Sequence, residues 1–202
     1  MNMDAKTAKS ELTRIAIIGS ALELASAEGF ESLTLQAVAD RVGLSKSGVF
    51  SRVGSREALQ KAVIEEFGRR FLADVFVPAM QKRKGLARLD EIVQRWITRL
   101  SIADMHTSCI YIPGAFELDD REGELRDLLL QDVTRWRSAL RRTVLQAMET
   151  ADLKPDTQPE QLVGEIYGLA IALLHDARFL RDPNAADRAR ATWQRLLKSY
   201  QA

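Results

Sequence analysis

An all-α fold of about nine helices is what this sequence of 202 residues predicts, and three observations predict it. Apolar residues recur at steps of three and four along almost the whole chain, the period of one helix face. No segment sustains the every-second-residue alternation of a half-buried strand. Glycine, proline and small polar caps fall between the apolar stripes, where helices end and begin.

The elements follow in order. Leu12, Ile15, Ile18, Leu22 and Ala25 stripe a first helix, which Gly29 ends as a left-handed cap. Thr34 caps a second helix of about two turns, with Leu35, Val38, Ala39 and Val42 inward. Gly43 supplies the left-handed turn, and Leu44 plugs it. Ser45 caps a third short helix, Lys46 to Arg52, with Val49 inward and Val53 beside it. Gly54 ends that helix and Ser55 caps the next. Leu59, Val63, Phe67, Phe71 and Val75 stripe the fourth helix, which Pro78 stops or kinks.

The basic segment Gln81 to Gly85 reads as a surface loop. Leu86, Leu89, Val93, Trp96 and Leu100 stripe the fifth helix. Residues 101–123 are the least regular, broken at Pro113-Gly114, and hold a short sixth helix or an irregular loop. Leu125, Leu129, Val133, Trp136, Leu140, Val144 and Met148 stripe a long helix ending near Asp152. Leu162, Ile166, Leu169, Leu173, Ala177 and Leu180 form the eighth, and Ala186, Ala189, Trp193, Leu196 and Tyr200 the last.

Composition bounds the function. The hydrophobic share of 46% and charged share of 28% are those of an ordinary soluble globular protein. The single cysteine, Cys109, excludes an intramolecular disulfide and favours a reducing compartment. The polar start, MNMDAKTAKSELTR, lacks the apolar core of a signal peptide, and apolar runs such as Leu169 to Leu174 are far too short to span a bilayer. The expectation is a soluble, cytoplasmic protein with no membrane association. Net charge of +1 makes no case for nucleic acid, so charge must be read locally.

Locally it is uneven. Residues 41–56 hold four bases (Arg41, Lys46, Arg52, Arg56) and no acid. Residues 1–40 hold three bases against six acids. Two short helices around a glycine turn, followed by a capped long helix, have the layout of a helix-turn-helix, whose second helix enters the major groove of DNA. Caps worth about 1 kcal/mol each define helices this short. The plainer alternative is a three-helix packing unit with a solvated basic face.

These residues resemble the TetR family of tetracycline-repressor-like regulators. The resemblance lies in RIAIIGSALELASAEGF, TLQAVADRVGLSKSGVFSRV and GSREAL, roughly Arg14 to Val63. It implies a DNA-binding domain over residues 1–56 and a helical effector-binding and dimerisation domain over 57–202. It places Gln36, Lys46 and Ser47 where base edges are commonly read, with phosphate or solvent as the alternative for each. It places Gly48, Phe50, Arg52 and Arg56 where the DNA backbone is approached or held, and the caps Thr34 and Ser45 add donors for phosphate oxygens. The family usually has tyrosine at the position of Phe50 and often histidine at that of Arg52. Phe50 forfeits a hydroxyl bond to phosphate, whereas Arg52 can restore charge and donors together.

Beyond Val63 the resemblance is weaker, in CIYIPGAFELDDREGELRD and LHDARFLRDP. It puts Trp96, Leu100, Met105, Cys109, Phe116, Trp136 and Tyr167 on or near the helices that enclose an effector pocket, suited to a small apolar or aromatic molecule; the alternative for each is ordinary core. Gly164, Gly168 and Ala172 repeat at every fourth position of one helix, at a cost of about 1 kcal/mol per glycine relative to alanine. The resemblance implies that the last two helices form a dimer's four-helix bundle, with His175, Trp193 and Leu196 on the same interface. Close packing inside one subunit is the alternative. No catalytic constellation, metal-ligand pattern or cofactor motif emerges, so an enzyme is the weaker reading. A ligand-responsive regulator, most often a repressor in this family, is the stronger. A third reading is a ligand-binding dimer without sequence-specific DNA binding.

Overall fold

The stripes become helices over most of their expected lengths. The computed structural model describes residues 2–101 and 109–202. Among them lie nine helices, counting each π-helical extension, and the turn Val77–Ala79 after the first of them, with its parent, and no β-strand. They are α1 (Asn2–Glu28), α2 (Leu35–Val42), α3 (Lys46–Val53), α4 (Arg56–Phe71), α5 (Leu86–Ser101), α6 (Tyr111–Glu117), α7 (Glu124–Glu149), α8 (Pro159–Leu174) and α9 (Ala185–Tyr200). π-helical turns prolong α4 over Leu72–Phe76 and α8 over His175–Phe179.

The described residues divide into two compact units, 2–69 with 109–131 and 70–101 with 132–202. In the first, Ile17, Ala21, Leu22 and Leu24 of α1, Val38 of α2, Val49 of α3 and Leu59, Val63 and Phe67 of α4 are buried. Phe67 meets Tyr111 of α6 edge-on at 4.6 Å. Complete burial of one such side chain is worth about 1.5–3 kcal/mol, which makes this core the main support of the short helices. The expected α1 stripe needs correction. Leu12 and Ile15 are 68% and 55% exposed, and burial begins at Ile17, where α2 and α3 start to cover the helix. Pro113-Gly114 also differs from expectation, since α6 runs through it. Pro113 sits in the first turn, where its missing N–H breaks no helical bond.

In the second unit α5 packs on α8 and α9, which pack on each other. Leu89, Ile92, Trp96, Leu162, Ile166, Leu173, Ala189 and Trp193 are buried there. Pro78 does not stop α4; the helix widens to a π turn just before it and continues to Ala79. Proline has no N–H for the Asp74 carbonyl, and the Arg95 guanidinium reaches that oxygen at 3.5 Å instead. The Leu86 amide, at the start of α5, donates to Asp152 Oδ2 at 3.0 Å. That bond, the Thr150 hydroxyl and Arg83 hold the Asp152 carboxyl below the usual range. No helix among the described residues is long and apolar enough to cross a membrane.

Candidate nucleic-acid interface

The caps that define α2 and α3 are made as the sequence requires. Thr34 Oγ1 accepts from the Ala37 amide at 3.0 Å, and Ser45 Oγ accepts from the Gly48 amide at 3.0 Å. Gly43 takes φ 67°, the left-handed region that turns α2 into α3. A Cβ at Gly48 would stand 3.1 Å from Ser45 Oγ, so glycine keeps this cap compact. With Leu35, Val38 and Val49 holding the inner side, Gln36, Lys46, Ser47 and Phe50 all face solvent, Phe50 at 57% exposure. The Phe50 ring lies outside the core, beside Lys46, Ser45 and Ser47.

Three polar side chains are engaged within the unit. Gln36 Nε2 donates to Asp40 Oδ1 at 2.7 Å, so it must exchange that partner to reach a base. Arg52 folds back along α3, its Nη1 donating to the Gly48 carbonyl at 2.8 Å and to Ser51 Oγ at 3.2 Å. Arg56, expected where phosphate is held, bonds backbone carbonyls of its own unit. Its Nε donates to the Leu33 carbonyl at 2.6 Å and its Nη2 to the Glu31 carbonyl at 2.9 Å, which ties the start of α4 to the loop before α2.

Of the residues expected around an effector, Trp96, Trp136 and Tyr167 are brought together. Trp96 meets Trp136 edge-on at 5.3 Å and Tyr167 at 5.1 Å, and Phe71 meets Trp136 at 4.7 Å. Such pairs add about 0.5–1.5 kcal/mol each beyond area burial. Leu100 is buried on α5, and Cys109 is buried in the first unit. Phe116, expected near an effector, lies in the first unit with its ring 63% exposed. Met105 lies outside the described residues.

The glycine stripe of α8 is open to solvent. Gly164, Gly168, Ala172 and His175 are exposed, and a Cβ at either glycine would meet nothing within 4 Å. The open Cβ positions give no support to the alternative of close packing within one chain. A groove of about 610 Å³ between α8 and α9 is lined by Gly168, Leu169, Ala172, Leu173, Ala189 and Leu196. Ile171, Phe179 and Leu180 leave further apolar surface exposed on α8, its extension and the residue that follows. Trp193, expected on a dimer interface, is fully buried within the chain, its indole turned toward α5.

Two family models match the chain. The model for bacterial regulatory proteins of the tetR family matches residues 17–63, and the tetracyclin repressor-like C-terminal domain matches residues 85–193, more than half of the sequence. The chain belongs to the TetR family. It is a DNA-binding transcriptional regulator of that family. A comparison with curated proteins finds no match. Among solved structures, a TetR-family regulator from Cytophaga hutchinsonii is similar with a TM-score of 0.79 at 17% identity, covering 96% of this chain and 97% of that one. A putative transcriptional regulator from Saccharomonospora viridis, in complex with choline, reaches 0.75 at 13% identity over 93% and 96%. AibR, in complex with isovaleryl coenzyme A and operator DNA, reaches 0.67 at 20% identity over 86% and 94%. At these identities the likeness is one of fold.

Within this TetR-family chain, sequence reasoning passes over Gln60, Glu117 and Arg121. All three bond to the loop between α1 and α2. Sequence separation hides the group, since Glu117 lies 87 positions from the Phe30 amide it accepts from.

Proposed function

We propose that this TetR-family regulator is a homodimeric repressor working in the cytoplasm. It binds a pseudo-palindromic operator and leaves it when a small apolar or aromatic effector binds. Residues 1–56 bind DNA, and residues 57–202 take the effector and the second subunit. The observation that carries the reading is the solvent-facing group Gln36, Lys46, Ser47 and Phe50, set on two capped helices inside an acid-free basic window.

Lys46 has the reach and donors for guanine O6 and N7, Gln36 the paired donor and acceptor for adenine, and Ser47 a hydroxyl for either. Thr34 and Ser45 stand at helix N-termini, where amides and hydroxyls favour phosphate. The open glycine stripe of α8, with Leu196 across the groove, supports the dimer. The group Trp96, Trp136 and Tyr167, with Leu100 on the same unit, supports an apolar or aromatic effector; one structural neighbour holds an acyl coenzyme A with operator DNA and another holds choline. Release requires the effector to prefer one of two dimer geometries, with a coupling of about 1–3 kcal/mol.

Selection of bound duplexes from random-sequence DNA tests the reading. The expected product is a two-fold symmetric site whose half-site centres lie about 34–36 Å apart. Phe50, which has no hydroxyl for phosphate, favours a second reading, a ligand-binding dimer that has lost sequence-specific binding. Uniform, salt-sensitive retention of every duplex without enrichment would decide for the second.

A further inference from the structure

We infer that Glu117 is a positioning residue for DNA recognition: its carboxylate fixes the loop from which α2 departs, and so the presentation of α2 and α3. The inference rests on the DNA-binding reading above. The Phe30–Leu33 loop joins α1 to α2, and its polar groups are held by side chains from outside the helix-turn-helix. Glu117 Oε2 accepts from the Phe30 amide at 2.8 Å and Oε1 from the Glu31 amide at 2.7 Å. Buried Gln60 donates to the Phe30 carbonyl at 3.2 Å, while Arg56 donates to the carbonyls of Glu31 and Leu33. Arg121 pairs with the Glu31 carboxylate.

Two glycines make room for this clamp. A Cβ on Gly29, which also has φ 85°, would fall 2.7 Å from Glu117 Oε2, and a Cβ on Gly114 would fall 2.7 Å from the Phe30 ring. The carboxylate also stands beside the C-terminal end of α1, where the helix dipole disfavours negative charge. Its two charge-assisted bonds to loop amides offset that opposition. The Glu117 carboxylate bonds the amides of this loop, so its removal acts on the loop. The eight residues of α2 span about 12 Å, and a tilt of about 5° at the loop moves the far end by about 1 Å, enough to misplace a side chain aimed at a base edge.

The clamp also lies on a chain segment with a route to the other unit. α7 begins at Glu124, shortly after Glu117, and its residues are divided between the two compact units.

The test uses the full-length protein and two probes: the duplex that the wild type enriches from random DNA, and a scrambled duplex of equal length. Glu117→Gln keeps the shape but faces one loop amide with an NH2 group. The expected result is a Kd about tenfold weaker for the enriched duplex, an unchanged Kd for the scrambled one, an unchanged helical circular dichroism spectrum and faster hydrogen exchange at the Phe30 and Glu31 amides. Glu117→Asp, one methylene shorter, is read the same way should the glutamine variant not fold. A wild-type ratio of enriched to scrambled affinity in a folded variant overturns the inference alone. A wild type that enriches no sequence overturns the DNA-binding reading and this inference with it.

Discussion

The indole Nε1 of Trp193 donates to Asp90 Oδ1 at 2.7 Å, across 103 positions of sequence. The bond joins α9 to α5 inside the second unit and explains why a tryptophan occupies a fully buried site. Trp193→Phe keeps most of the ring but removes the donor from a carboxylate. A hydrogen bond to a charged group is worth about 1.5–3 kcal/mol, so the midpoint of urea unfolding should fall by the corresponding amount. An unchanged midpoint would show that the bond contributes no net stability.

Gly168 separates subunit stability from assembly. Because a Cβ there meets nothing within 4 Å, Gly168→Ala should strengthen the helix of an isolated subunit by up to about 1 kcal/mol. If the proposed dimer packs on α8, Gly168→Leu should block the second helix, and sedimentation should show a smaller species than the wild type at equal concentration. A leucine variant that remains fully dimeric places the interface elsewhere.

Lys46 faces solvent on α3, in the window without acids. Lys46→Ala should weaken binding to the selected duplex. If Lys46 reads a base, the loss should be about 1–3 kcal/mol and concentrated on one base pair of each half-site. If it holds phosphate, affinity should fall equally for all sequences, and the slope of log K against log salt should become shallower by about 1 for each phosphate no longer neutralised. Filter binding at several salt concentrations distinguishes the two, and no change in either quantity removes Lys46 from the interface.

The reach of the sequence can be traced through individual residues. Thr34, Gly43 and Ser45 are legible because caps and turns are local: each needs only a partner within four positions. The helical stripes are legible for the same reason. Periodicity does not say what a stripe faces. Leu12 and Ile15 continue the α1 pattern into solvent, and Trp193 shares a stripe with Leu196 yet points into the core of its own unit. Arg56 illustrates a second limit. Its charge is visible, but the carbonyls it bonds, 23 and 25 residues earlier, are not side chains and leave no mark in composition. Glu117 is hidden for the same reason, its partners being backbone amides of a loop that only the fold brings near.

Tyr200 gives a pH dependence with a definite sign. Its hydroxyl donates to Glu165 Oε2 at 2.9 Å, and burial, reinforced by that carboxylate, pushes its pKa up to about 12 from an ordinary value of 10.0. In the unfolded chain the phenol loses its proton near 10, while in the folded chain it keeps it. Between those values the native state binds more protons, so its contribution to stability is complete below about 10 and declines as pH rises toward about 12. Lysines titrate in the same range, and the comparison must therefore be made against Tyr200→Phe. The wild type should lose stability more steeply than the phenylalanine variant between pH 10 and pH 12 in thermal unfolding. Parallel curves for the two proteins would mean that Tyr200 ionises equally in the folded and unfolded states.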